Sequence, residues 1–411
     1  MPPDVEMPKP PSGMGREAMD WLCSIGLSPV TPAVRSSDYE LLLSNPFFYY
    51  LTRKLGLCDR LKWSPAACRG TWIHKAAELD PFSIPLSDPA FSIAYNQAVK
   101  DRLTELTLVC NESGIVGDVR AGILERESRT ADTALGRYLA SSSIEIPNYG
   151  YFRTWMSSFT VLARELEVSV PCFPGSTLMA TAKLDALVLD QHRKLRIIDY
   201  KTSEMDLIDR LSTCPSEFQT NHYLSVTRTA LQSGILRSFI PSLPDDVSIG
   251  GMYHVAFLQP SIVFGEKDRP FTDNPHVLQS GPRKGQTEIR RTYHGEPHFP
   301  LYVARVRRWL LGEGEYADLK PDRLASPAIN ISHTPIDNLD SWRGEEYAAQ
   351  LEFVAEFASR TPYPRNFPKS INSLRQYGDL SDWAPLALLP VADWPAVFRK
   401  LGLIVQHRDV F

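Results

Sequence analysis

A chain of 411 residues with 43% apolar content can bury a large core, and its length allows two or three domains. Forty-four basic against 48 acidic side chains give a net charge of −4, which excludes tight, sequence-independent coating of nucleic acid but permits a local basic groove. No apolar run reaches the ~18 residues of a membrane span, and the N-terminal MPPDVEMPKPPSGMG lacks the apolar core of a secretory signal, so no membrane partner and a cytoplasmic location are expected.

The first 30 residues read as a proline-rich tail and short helix, and residues 31–411 as one elaborated domain with its core at about 70–260. Ser37–Leu57 reads as an amphipathic helix carrying the aromatic run Phe47–Tyr50, and Thr71–Leu79 as a helix bearing His74 beside Trp72 and Ile73, with Glu78 one turn on. Helical patterns follow at Phe91–Leu108, Thr130–Leu139 and Trp155–Glu165, the last leading into a strand-like Val168–Pro171, with Glu165 and Glu167 as nearby carboxylates. A helix with Gln219 and Tyr223 precedes a strand at Met252–Phe257. Gly265–Gly295 reads as a long loop, and Pro300–Leu311 and Ser341–Ser359 as helices. Strands flanked by helices make an α/β fold the economical assignment.

Chemistry concentrates in Lys183–Lys201, KLDALVLDQHRKLRIIDYK. Two short apolar runs, around Leu184–Leu189 and Leu195–Ile198, are separated by a polar turn of hairpin length, which predicts adjacent antiparallel strands. Asp185 and Asp199 then fall on neighbouring strands, and the two-residue period points Asp199 and Lys201 the same way. An uncompensated carboxylate in a core strand costs several kcal/mol, so these positions imply a metal or a cationic partner. Hard oxygen ligands suit Mg²⁺ or Mn²⁺. Lys201 would orient an attacking water or neutralise charge on phosphoryl oxygens.

Four segments, GTWIHKAAE (Gly70–Glu78), AKLDALVLD (Ala182–Asp190), LRIIDYKTS (Leu195–Ser203) and QTNHY (Gln219–Tyr223), stand in the order found in RecB-like nucleases of the PD-(D/E)XK superfamily, which this chain resembles over roughly residues 36–225. The resemblance implies a restriction-endonuclease-like core, a mixed sheet flanked by helices, with helical N- and C-terminal elaborations. It also implies His74, Asp185, Asp199 and the Tyr200 carbonyl as metal ligands and Lys201 as the catalytic lysine. Gln219 and Tyr223, on one helix face by their i,i+4 spacing, would position substrate or lysine. The expected activity is metal-dependent DNA hydrolysis, as an exonuclease in recombination, repair or phage DNA processing. DNA is the expected partner, with a separate recombinase, annealing protein or helicase beside it, since the chain has no phosphate loop for ATP-driven unwinding. The alternative is a catalytically idle nuclease-fold scaffold or DNA-binding module.

Some relatives clamp an iron–sulfur cluster with cysteines near the C-terminus. The similar YPRNFPKSINSLRQYGDLSDW (Tyr363–Trp383) has none, so no cluster is expected. The six cysteines, Cys23, Cys58, Cys68, Cys110, Cys172 and Cys214, lack zinc spacing and read as free, structural thiols. Candidate nucleic-acid contacts are Arg283, Lys284, Arg290 and Arg291, then Arg305, Arg307 and Arg308, with Tyr293, His294 and Trp309 as stacking platforms.

Overall fold

The computed structural model describes residues 30–59, 65–83, 88–204, 206–260, 262–317, 327–359 and 403–405. In chain order these form β1 (Val34–Arg35), α1 (Asp38–Ser44), α2 (Pro46–Tyr49), β2 (Leu57–Asp59), α3 (Pro65–Leu79), α4 (Pro89–Glu112), α5 (Gly117–Ser142), β3 (Glu145–Ile146), β4 (Gly150–Tyr151) and α6 (Phe152–Met156). There follow β5 (Thr160–Pro171), β6 (Met179–Leu189), β7 (Lys194–Ser203), α7 (Leu207–Thr213), α8 (Phe218–Gln232), α9 (Ile235–Phe239) and β8 (Ser248–Leu258). The rest are β9 (Phe271–Val277), β10 (Thr287–Tyr293), α10 (Phe299–Leu311), β11 (Ile329–Pro335), α11 (Trp342–Ser359) and β12 (Leu403–Val405).

The apolar alternation of β6 and β7 builds the expected antiparallel pair, from Ala186↔Ile198 to Leu189↔Leu195. β7 then runs parallel to β8, because α7, α8 and α9 carry the chain back across the sheet between them. β11 pairs antiparallel with β8, β5 antiparallel with β6, and β1 parallel with β6 at Ala180 and Thr181. The result is a mixed six-stranded sheet flanked by helices.

Each face buries its own core. Ile198, Tyr200, Val255 and Phe257 pack against Ile73 and Ala77 of α3 and Tyr138 of α5. On the other face Leu187, Leu195, Ile197 and Met252 pack against Leu224 and Val226 of α8. Among the described residues no helix is long and apolar enough to cross a membrane.

Three expectations are corrected. The helix expected at Trp155–Glu165 shrinks to α6, and Thr160 onward is strand: LARELE favours a helix locally, yet ten residue pairings to β6 override it. The expected loop at Gly265–Gly295 contains the β9–β10 hairpin, in register from Phe271↔Tyr293 to Val277↔Thr287. Nearly every side chain of that hairpin faces solvent, so no buried apolar row marked it. The single helix expected at Ser37–Leu57 breaks at Asn45, since Pro46 disfavours the helical conformation in the residue before it. It resumes as α2 and a π-helical turn at Tyr50–Lys54, and Leu57–Asp59 is strand paired to β12. The tail and short helix expected over residues 1–30, apart from Val30, and the Tyr363–Trp383 segment lie outside the described residues.

Candidate active site

The sheet forks where β6 and β7 part. Their ladder ends at Ala186↔Ile198, after which β6 stays with β5 while β7 follows β8. Past the last pairing, the Tyr200 N–H donates to the Asp185 side chain instead, 2.7 Å to Oδ2. On β5 the register passes from Arg164↔Ala186 to Leu166↔Leu184, skipping Glu165 opposite Asp185, and Glu165 has φ 50°. Left-handed backbone at a non-glycine residue inside a strand is sparse, and such strain gathers at functional sites. The kink changes the facing of the neighbours: Leu184 packs beneath α8, Ala186 beneath α3.

β7 delivers Asp199 and Lys201 to the α8 face, as their spacing requires. Asp199 is 3% exposed, and its Oδ2 accepts from Lys201 Nζ at 3.0 Å and from His254 Nδ1 at 3.1 Å. Burial favours its neutral form, but the Lys201 ammonium and the His254 imidazole outweigh that and hold the carboxyl far below the ordinary carboxylate range. Burial likewise opposes the Lys201 charge, and Asp199 reverses the sign, so the ammonium persists above its usual pKa. Lys201 Nζ also donates to Gln219 Oε1 at 2.6 Å, and Gln219 Nε2 to the Tyr223 hydroxyl at 3.2 Å. The lysine is therefore fixed at two points.

From the opposite face α3 brings His74, whose Nδ1 lies 3.4 Å from Asp185 Oδ2. Burial pulls the His74 pKa down and the Asp185 carboxylate pulls it up, with a net rise. His74, Asp185, Asp199, Tyr200, Lys201, Gln219 and Tyr223 all line one open cavity of about 460 Å³. Glu78 lines it too, ion-paired to Lys75, as does Glu165, 2.5 Å from Lys183; Glu167 is not part of the lining.

Among the described residues no three His, Cys, Asp or Glu side chains converge closely enough to grip an ion as they stand. The Asp199 carboxylate is turned to Lys201 and His254, and Asp185 to Tyr200 and His74. The donor set still suits a hard dication: these contacts use only Oδ2 of each carboxylate, and the cavity is open enough for water to complete a shell.

The expected basic patches are largely spent within the fold. Arg305 is buried and doubly bonded to Asp268, Arg291 pairs with Glu315 at 2.8 Å and covers the Phe271 ring, and Arg290 bonds Glu288 at 2.6 Å. Trp309 joins the half-buried rim of a core cluster. Arg283 and Lys284 are exposed.

Sequence reasoning missed His254. It lies fully buried in the apolar Met252–Phe257 strand, in register with Asp199, and its Nε2 lies 3.2 Å from the Thr220 hydroxyl, which donates to the Cys214 carbonyl. A histidine inside an otherwise core strand was the available signal.

A family model, that of the PD-(D/E)XK nuclease superfamily, matches residues 36–256, more than half of the chain. No curated protein matches it.

Proposed function

Since the chain belongs to the PD-(D/E)XK nuclease superfamily, we propose that it hydrolyses DNA phosphodiester bonds with Mg²⁺ or Mn²⁺ held by Asp185, Asp199 and His74 together with the Tyr200 carbonyl. Nucleases of this superfamily are generally metal-dependent hydrolases. The observation that carries the reading is the anchoring of Lys201 Nζ between Asp199 Oδ2 and Gln219 Oε1 in the cavity that Asp185 also lines.

When bound, the dication supplies a Lewis acid for the scissile phosphoryl oxygen and lowers the pKa of an adjacent water. Lys201, already ionised and held at two points, presents fixed positive charge where negative charge develops and costs no reorganisation during the reaction. Gln219 and Tyr223 keep that ammonium in place. An exonuclease acting in recombination, repair or phage DNA processing, beside a separate recombinase, annealing protein or helicase, is the finer reading. Its support is the four-segment resemblance to RecB-like nucleases.

The test is end-labelled linear and closed circular DNA incubated with Mg²⁺, Mn²⁺ or EDTA, with wild type, Asp199→Ala and Lys201→Ala compared. Degradation should require the metal, spare the circle and fall at least about a hundredfold in Lys201→Ala. Cleavage by Lys201→Ala at the wild-type rate sinks the site. Failure of the wild type both to cleave and to bind Mn²⁺ would instead favour the idle scaffold.

A further inference from the structure

A second cavity, of about 210 Å³, lies between α3 and α5 and is lined by Arg69, Arg126, Arg129 and Arg137 with Thr130, Thr133 and Val263. At roughly 30 Å³ per liquid water, it has room for a tetrahedral oxyanion and several waters. The sequence builds it by helical period. Arg126, Thr130, Thr133 and Arg137 recur at i, i+4, i+7 and i+11 along one face of α5, Arg129 flanks them, and α3 adds Arg69.

Four guanidiniums and no carboxylate form the lining. Arg69 pairs outside it with Glu204, and Arg129 with its helix neighbour Glu125 at 2.7 Å. Both glutamates are well exposed, and such pairs contribute little and exchange readily. Arg137 differs. It is 1% exposed and donates to neutral oxygens, Gln259 Oε1 at 2.8 Å and the Ile262 carbonyl at 3.0 Å, beside the Tyr302 hydroxyl, and its buried Nε has no partner. The buried Nε of Arg69 has none either. A cation this deep with no carboxylate in hydrogen-bond contact is costly, and an oxyanion is the ligand whose acceptors match guanidinium donors.

The cavity is tied to the metal cleft by two elements. Arg69 precedes His74 by five residues on α3, ~7.5 Å along the helix axis, and its partner Glu204 follows Lys201 by three residues at the end of β7. We propose that this arginine cavity is a second phosphate site, which takes a backbone phosphate of the DNA strand near the one being cut. The assignment rests on the nuclease reading; free inorganic phosphate offers the same chemistry from another source.

Arg126 and Arg129 are exposed, so their replacement spares the core. Full-length wild type, R126Q/R129Q and R126E/R129E are compared for binding of a labelled single-stranded oligonucleotide in EDTA across a salt series, with thermal unfolding to verify the fold. At about 0.1 M salt the glutamate pair should bind about tenfold or more weakly, and its log K against log salt slope should fall by about 1.4 for two lost contacts. The glutamine pair should fall between, and KM for cleavage should rise in step. Wild-type affinity and salt slope in R126E/R129E, beside a wild type that cleaves, would overturn the cavity's role and leave the nuclease standing. Calorimetric binding of inorganic phosphate that R126Q/R129Q abolishes, with DNA affinity untouched, would overturn the DNA assignment. A wild type that never cleaves but loses DNA affinity on charge reversal would leave the cavity standing and the nuclease reading refuted.

Discussion

Asp199 is held by one partner that sequence spacing reveals and one that it hides. Lys201 sits two residues away on the same strand, so a two-residue period suffices to place it. His254 sits 55 residues away and reaches Asp199 only because β7 and β8 run parallel in register. Outer partners of ligating groups are worth about 10–100-fold in metal affinity or activity. His254→Ala should therefore lower cleavage by that range and raise the Mn²⁺ concentration needed for half-maximal rate. His254→Asn, whose amide nitrogen stands near the place of Nδ1, should recover part of both. A His254→Ala enzyme with wild-type metal dependence would reduce His254 to a packing residue. The candidate site was legible where chemistry is local, at Asp185, Asp199 and Lys201, and on the helix turn joining Gln219 to Tyr223. It was not legible at His254, whose role depends on pairing across a crossover, nor at Arg137, whose importance comes from burial.

Helix and strand boundaries followed local signals until tertiary contact overrode them. β5 is the clearest case, since its LARELE stretch is helix-prone and strand only because β6 lies beside it. The exposed β9–β10 hairpin escaped for the opposite reason, having no buried row to produce a period. α5 and α10 show how closely two elements meet. Gly136 of α5 lies against the fully buried Tyr302 of α10, and a methyl at Gly136 would sit 2.4 Å from Tyr302 Cε1 and 2.5 Å from Cδ1. Two effects oppose each other in Gly136→Ala. Helix propensity favours alanine by up to about 1 kcal/mol, while overpacking a tight core costs about 1–3 kcal/mol. The ring is pinned by its hydroxyl, whose single proton is shared between the Ile262 carbonyl at 3.0 Å and the Thr133 carbonyl at 3.2 Å, so it yields poorly and the clash should win. Chemical denaturation should show a net loss of about 1 kcal/mol or more. Stability at or above wild type would mean that the two helices separate freely at this crossing.

Across the whole molecule, α8 links the sheet to α11 through His222. Its Nε2 lies 3.0 Å from the Thr181 carbonyl on β6 and its Nδ1 3.2 Å from the Tyr347 hydroxyl on α11, with the ring stacked on Phe218. Burial drives its pKa down to about 4, with the Thr181 carbonyl offsetting part of the shift. Between the ordinary imidazole value of 6.5 and about 4 the unfolded chain takes up a proton that the folded chain refuses, so stability is complete above that window and falls as pH drops through it. The whole window is worth roughly 3 kcal/mol. Asp199 acts lower on the scale: its depressed pKa stabilises the fold above the unfolded value of 3.8, and that part is lost only on further acidification. The two contributions therefore separate by pH. Urea unfolding from pH 7 to pH 4 should show wild type losing roughly 3 kcal/mol more than His222→Gln, which keeps an amide donor but cannot take up the proton. Parallel stability curves for the two proteins over that range would remove His222 as the source of acid sensitivity there.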